Sequence, residues 1–160
     1  QDITHFICEL AQIMLSLANV NKTVEEVHQH LENGQALAKF EEMVKAQGGD
    51  LEDLYRPVNV QHVVEISAQE TGVISALPAM EFGLYAMRLG AGRAVKSDAL
   101  DYETGIVFEK KVGDSVQKGE IVAKVYTNGK ISPQLVTDFQ KYVKINDRVQ
   151  SLREIIEIIS

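Results

Sequence analysis

The stretch VGDSVQKGEIVAKVY, Val112 to Tyr126, decides how the chain is read. Val112 precedes Gly113-Asp114, Val116 stands alone, and Lys118-Gly119-Glu120 opens onto an alternating apolar run. Its physical content is a pair of tight turns around a short strand. Glycine supplies positive φ, and aspartate bonds the amides of its own turn. Nothing in that grammar is catalytic. The stretch predicts scaffolding, with strands over 105–112 and 120–127.

Outward from this hairpin the pattern stays rich in β structure. Toward the C-terminus, Asn128-Gly129 predicts another tight turn, 133–142 a helix and "VKINDRV" a short strand, while "LREIIEIIS" fits helix and strand equally. Toward the N-terminus, "VNVQHVVEISA" (Val58 to Ala68) is β-branched and reads as a strand. "TGVISALPA" gives a second strand after a turn at Gly72, and Met80 to Leu89 a helix that tolerates Gly83 and stops at "GAG". "KSDALDYETG" is a loop. "HVVEISAQETGVISA" and "GIVFEKKVGDSVQKGEIVAKV" then form two halves of one small sandwich, with the helix inserted between them.

Before Pro57 the period is helical. Ile3, Phe6, Ile7, Leu10, Ile13, Met14 and Leu17 mark the inner face of a helix over 2–18, opposite a polar stripe. Thr23 and Glu26 form a capping box for a short helix with Val24, Val27 and Leu31 inward, ended at Asn33-Gly34. A third helix, 35–46, turns Leu37, Phe40, Met43 and Val44 inward and stops at Gly48-Gly49. "DLEDLYRPVNV" is a polar connector. The expected fold is α+β, with a helical segment at 1–57 and a β unit with one inserted helix at 58–160.

Composition bounds the partners. The 160 residues are 45% hydrophobic and 24% charged, ordinary for a globular protein, and no apolar run approaches the ~20 residues of a membrane helix. The formal charge of −7 disfavours a nucleic-acid backbone as partner. Lys110-Lys111 and nearby Lys118 read as a solvated strand edge. Cys8 is the single cysteine, which fits a reducing, cytoplasmic setting and the role of a small inert helix residue. The chain opens with Gln, directly inside a helical pattern, and is expected to be a piece of a longer polypeptide.

The chemistry-bearing residues do not assemble. His28 and His30 are two apart on a helix and diverge, and neither they nor His5 and His62 fall into metal-ligand spacing. Asp98, Asp101 and Glu103 share one loop, where turn bonding explains them more simply than acid–base catalysis. "LGAGRA" (Leu89 to Ala94) has its glycines after a helix, whereas a phosphate loop needs a strand before them. A helix stop follows, with Arg93 left to meet an anion or a partner surface. No catalytic, metal-ligating or cofactor-binding residue is assigned, and no cofactor is expected.

The hairpin itself resembles the half-motif of biotinyl and lipoyl carrier domains. Those carriers present a lysine at the tip after the second strand. Here the tip reads Thr127-Asn128-Gly129-Lys130. Asn128 falls at the biotinyl position, Gly129 at the lipoyl position, and Lys130 is out of register.

"YAMRLGAGRAVKSDALDYETGIVFEKKVGDSVQKGEIVAKVYTN" (Tyr85 to Asn128) closely resembles the C-terminal region of the pyrimidine-nucleoside and thymidine phosphorylases. "AKFEEMVKAQGGD" and "DITHFICELAQIMLSLA" resemble the preceding helices of the same family, so the likeness covers essentially the whole chain. It implies a dimeric enzyme with a helical domain and an α/β domain around a cleft. The reaction implied is phosphorolysis of a pyrimidine nucleoside to base and pentose 1-phosphate. Residues 1–57 would belong to the central α/β domain, and 58–160 would be the α/β-hammerhead unit. The family's lysine-serine, glycine-rich phosphate segment and its arginine, serine and lysine base contacts precede the matched region, so none of its site residues transfers. The partners implied are the N-terminal part of the same enzyme and a second subunit, with nucleoside and phosphate bound upstream. A carrier domain and a stand-alone interaction module are the alternatives. Helices cut from a larger domain are expected to show an apolar patch.

Overall fold

A computed structural model describes residues 3–148, which fall into two compact units dividing after Pro57. The architecture is α+β. In the first unit α1 (Ile3–Leu17), α2 (Val24–Glu32) and α3 (Gln35–Ala46) follow one another, α1 packing on α2 and α2 on α3. The capping box forms as its residues dictate. Thr23 Oγ1 accepts the Glu26 amide at 3.2 Å, and the Glu26 carboxylate accepts the Thr23 amide at 2.9 Å. The connector "LEDLY" is itself a helix, α4 (Leu51–Tyr55), because Asp50 caps it by accepting the Glu52 amide at 2.9 Å.

The faces of α1 bear out only part of the expectation: Phe6 and Ile13 are half-buried, as expected. Cys8 is buried, and the row Thr4, Cys8, Ala11 and Leu15 is covered, at spacings of four, three and four. The bulkier row Ile3, Ile7, Leu10, Met14 and Leu17 is exposed, as are Leu31, Leu37, Phe40 and Met43, all expected inside. Periodicity locates an apolar stripe on a helix; it does not say which neighbour covers it.

The second unit holds two three-stranded antiparallel sheets, ordered β1-β5-β3 and β4-β2-β6. The first comprises β1 (His62–Ser67), β5 (Ile121–Thr127) and β3 (Gly105–Phe108); the second β4 (Ser115–Val116), β2 (Gly72–Ala76) and β6 (Lys144–Asn146). The two sequence halves therefore interleave: β1 pairs with β5, and β2 with β4. Register sets the faces. Val64 and Ile106 both stand opposite Val125, and Ile66 and Phe108 opposite Ala123, so these six share one face. All six belong to or pack on a single core with Ile74, Val116, Phe82, Tyr85, Leu89 and Phe139. On the opposite face Lys124 bridges Glu109 at 3.0 Å.

Two helices close the core. α5 (Ala79–Ala86) runs into a π turn (Met87–Ala91), and α6 (Pro133–Tyr142) follows β5. The Phe139 ring lies 4.8 Å from Phe82 and 5.2 Å from Tyr85 between centroids, and the Tyr85 hydroxyl donates to the Leu135 carbonyl at 3.2 Å. Burial pushes that phenol well above its ordinary range.

Local differences from the expectation have local causes. The strand expected from Val58 begins at His62, because the Asn59 and Gln61 amides bond side chains instead of a neighbouring strand. β3 ends at Phe108, where the Glu109 and Lys110 amides both turn to the Val122 carbonyl. Asn128-Gly129 is a bend rather than a hairpin turn, and the chain passes on to α6. "LREIIEIIS" lies outside the described residues.

Candidate functional site

Within the second unit, polar side chains converge where the π turn, the loop 92–104 and the end of β5 meet. Gly90 closes the helix with φ +112°, a region that side-chain-bearing residues rarely adopt, and its carbonyl accepts the Asp101 amide at 2.9 Å. Asp101 is the hub of the loop. One carboxylate oxygen accepts the Glu103 amide at 3.0 Å, and the other accepts the Thr104 hydroxyl at 2.8 Å and the Asn128 amide at 3.0 Å. Thr127 and Thr104 are the buried polar residues of the described chain. The Thr127 hydroxyl donates to the Leu89 carbonyl at 3.4 Å and accepts the Gly129 amide at 2.9 Å. Each hydroxyl has one proton, so the Thr104–Thr127 contact at 3.5 Å is the weak member of the set.

Asp98 and Asp101 thus build turns of the loop, while Glu103 ties it to a distant segment. Asp98 accepts the amides of Ala94 and Val95, each at 3.0 Å, and Glu103 accepts the Asn59 amide at 2.7 Å. The bond from Thr104, then that from the Glu103 amide, holds the Asp101 carboxyl below its ordinary value. Its contribution to stability is therefore complete above that ordinary value and is lost as pH falls through the lower, folded value. The denaturant midpoint of the wild-type chain is expected to fall more steeply below about pH 4 than that of Asp101→Asn. Parallel curves from the two proteins would show that these bonds add nothing to stability.

The opening hairpin follows its grammar. Gly113 and Gly119 have φ of +100° and +88°, and Asp114 accepts the Lys111 amide at 2.7 Å. Lys110 Nζ meets Glu120 at 2.6 Å, which raises the lysine pKa and lowers that of the glutamate. Asn128, at the position of a carrier's lysine, is pinned by Asp101 and by the Gln61 amide. It sits at no hairpin tip, and this disfavours a carrier role.

The remaining candidates stay apart. His5 pairs with Glu9 at 3.3 Å and His28 with Glu32 at 3.6 Å, while His30 bonds Gln35. No metal-ligating group of three is found among the described residues. Arg93 is exposed on the loop. No described helix is long and apolar enough to cross a membrane. An open cleft of about 970 Å³ lies between α6, β6 and the β1–β2 turn, with Lys141, Lys144, Arg148 and Glu70 on its walls. Lys144 Nζ bonds the Lys141 carbonyl at 2.7 Å, and Gln140 bonds the Ser67 carbonyl at 3.2 Å. Lys144 and Gln140 are thus committed to the wall. Sequence reading missed Thr104, Thr127 and the double role of Asn128; a threonine ending a strand of apolar residues was the available signal.

Comparison with known proteins bears on the same region. Residues 73–146 match the family described as the pyrimidine nucleoside phosphorylase C-terminal domain. The pyrimidine-nucleoside phosphorylase of Staphylococcus haemolyticus is 35% identical over 100% of this chain and 39% of its own length. That of Bacillus subtilis is 36% identical over 91% of this chain and 35% of its own length. The chain thus spans well under half of the curated relatives it matches.

Proposed function

The chain belongs to the pyrimidine-nucleoside phosphorylase family, whose C-terminal domain it carries over 73–146, and from that premise we propose that it serves as the buttress of such an enzyme. In the reaction an oxygen of inorganic phosphate attacks C1′ of a pyrimidine nucleoside. The bond from C1′ to the ring nitrogen breaks, and the base takes a proton as it leaves. The products are free base and pentose 1-phosphate. Such a displacement needs donors that clamp the phosphate and others that receive charge on the departing base. In this reading both sets come from the part of the enzyme that precedes the matched region. Residues 58–160 are the α/β-hammerhead unit, α5 being its inserted helix, and 1–57 belong to the central α/β domain.

The observation that carries the reading is the breadth of the match, 35% identity over the whole chain rather than over one motif. The exposed row on α1 supports it. Ile3, Ile7, Leu10, Met14 and Leu17 repeat at four and three residues, the spacing of a helix seam covered by another helix. The N-terminal part of the enzyme is the proposed cover, in a cytoplasmic homodimer.

The isolated chain is accordingly expected to lack activity. Thymidine or uridine with inorganic phosphate should give no free base above background, and light scattering should show self-association through the uncovered row. Turnover by the chain alone would overturn the buttress reading. A strict monomer would argue against the proposed cover on α1.

A further inference from the structure

Asn128 uses its side-chain amide in both directions. Its Oδ1 accepts the Gln61 amide at 2.9 Å, and its Nδ2 donates to Asp101 at 3.0 Å. Gln61 belongs to 58–61, the segment by which the chain enters the second unit after Pro57. Asp101 belongs to the loop 92–104. Two residues earlier on the entering segment, the Asn59 amide donates to the Glu103 carboxylate at 2.7 Å. Entry segment and loop are therefore tied at two points, one direct and one relayed through Asn128.

The relay has a fixed sense. A flipped amide would set Nδ2 against the Gln61 N–H and Oδ1 against the Asp101 carboxylate, two repulsive contacts in place of two bonds. The amide is also rigid and planar, so displacement of either partner displaces the edge that serves the other. Asp101 is in turn locked to Thr104, to the Glu103 amide and, through its own N–H, to the Gly90 carbonyl. Bonds to carboxylates are the stronger kind, so the loop end of the relay is the firmer one.

We propose that Asn128 is a coupling residue, through which segment 58–61 and loop 92–104 hold or release as one element. A turn of the chain at Pro57 is then transmitted to the loop that carries Arg93 and Tyr102. This device does not depend on the enzymatic reading; it is a property of the second unit itself.

Amide hydrogen exchange of the whole chain tests it. Asp101→Ala is expected to speed exchange at the Gln61 amide about tenfold, although Asp101 does not bond Gln61. The strand amides of Val64 and Val125 should keep their protection, which shows the fold intact. Unchanged exchange at Gln61, alongside faster exchange at Glu103 and Thr104, would overturn the coupling. Should Asp101→Ala also release the strand amides, Glu103→Ala and Glu103→Gln decide the matter. The alanine should speed exchange at Gln61, and the glutamine, which keeps an acceptor, should not. Equal behaviour of those two variants at Gln61 would refute the proposal.

Discussion

Phe139→Ala is expected to cost the second unit about 3–5 kcal/mol and to leave it close to its unfolding threshold. Phe139 is fully buried, and its ring centroid lies within 6.1 Å of those of Phe82, Tyr85 and Phe108. Those three rings come from α5 and β3, whereas Phe139 comes from α6, so it is the fully buried member of the α6 face that also sets Leu135, Val136 and Tyr142 against the core. Alanine removes the apolar area and leaves a void that three aromatic neighbours cannot collapse into, because each is fixed by others. Phe82 also stands edge-on to Phe108 at 4.9 Å, and the Tyr85 hydroxyl is bonded on α6 itself. Phe139→Leu, which keeps most of the volume, should lose less than half as much. Denaturant unfolding followed in the second unit is the measurement. A loss below about 1 kcal/mol for alanine would mean that α6 is held by its other contacts and not by this ring.

How much of this was legible follows from the range over which each signal acts. The hairpin glycines and the Thr23–Glu26 box were readable because each requirement is met within four residues of chain. The helix over 133–142 was readable because Pro133 starts it and its apolar spacing is helical. The faces of α1 were not, because ten of its fifteen residues are apolar and leave more than one candidate face, and the fully buried position proves to be the small Cys8. Strand pairing was legible only as two halves. That β1 joins β5 while β2 joins β4 is a long-range fact with no local mark. Asp98 and Asp101 bond the turns of their own loop, as their residue types suggest, whereas Glu103 reaches the distant Asn59 amide. Asn128, which joins Asp101 to the Gln61 amide, lies 27 residues from the one and 67 from the other, distances at which no sequence spacing gives warning.

The glycines of "LGAGRA" allow one more decision between chemistry and conformation. Gly90 has φ +112°, and a Cβ built there would stand 3.4 Å from the Asp101 Cβ. Gly90→Ala therefore meets little steric obstruction, and its cost is the backbone conformation, about 1–3 kcal/mol. The damage should spread in a particular direction. Leu89 and Gly90 supply the carbonyls that accept Thr127 and the Asp101 amide, so a shifted peptide at residue 90 loosens the loop as well as the helix end. Calorimetric unfolding of Gly90→Ala should show the lower stability, while Gly83→Ala, at a helical position with no atom within 4 Å of the added Cβ, should be neutral or slightly stabilising. Inorganic phosphate sharpens the contrast. A glycine that cradled an anion would betray itself as weakened phosphate binding beyond the loss of stability, because the added methyl would block the approach of the ligand. A glycine that stops a helix gives lower stability and the same response to phosphate, and the geometry at Leu89 to Gly92 commits the motif to that outcome.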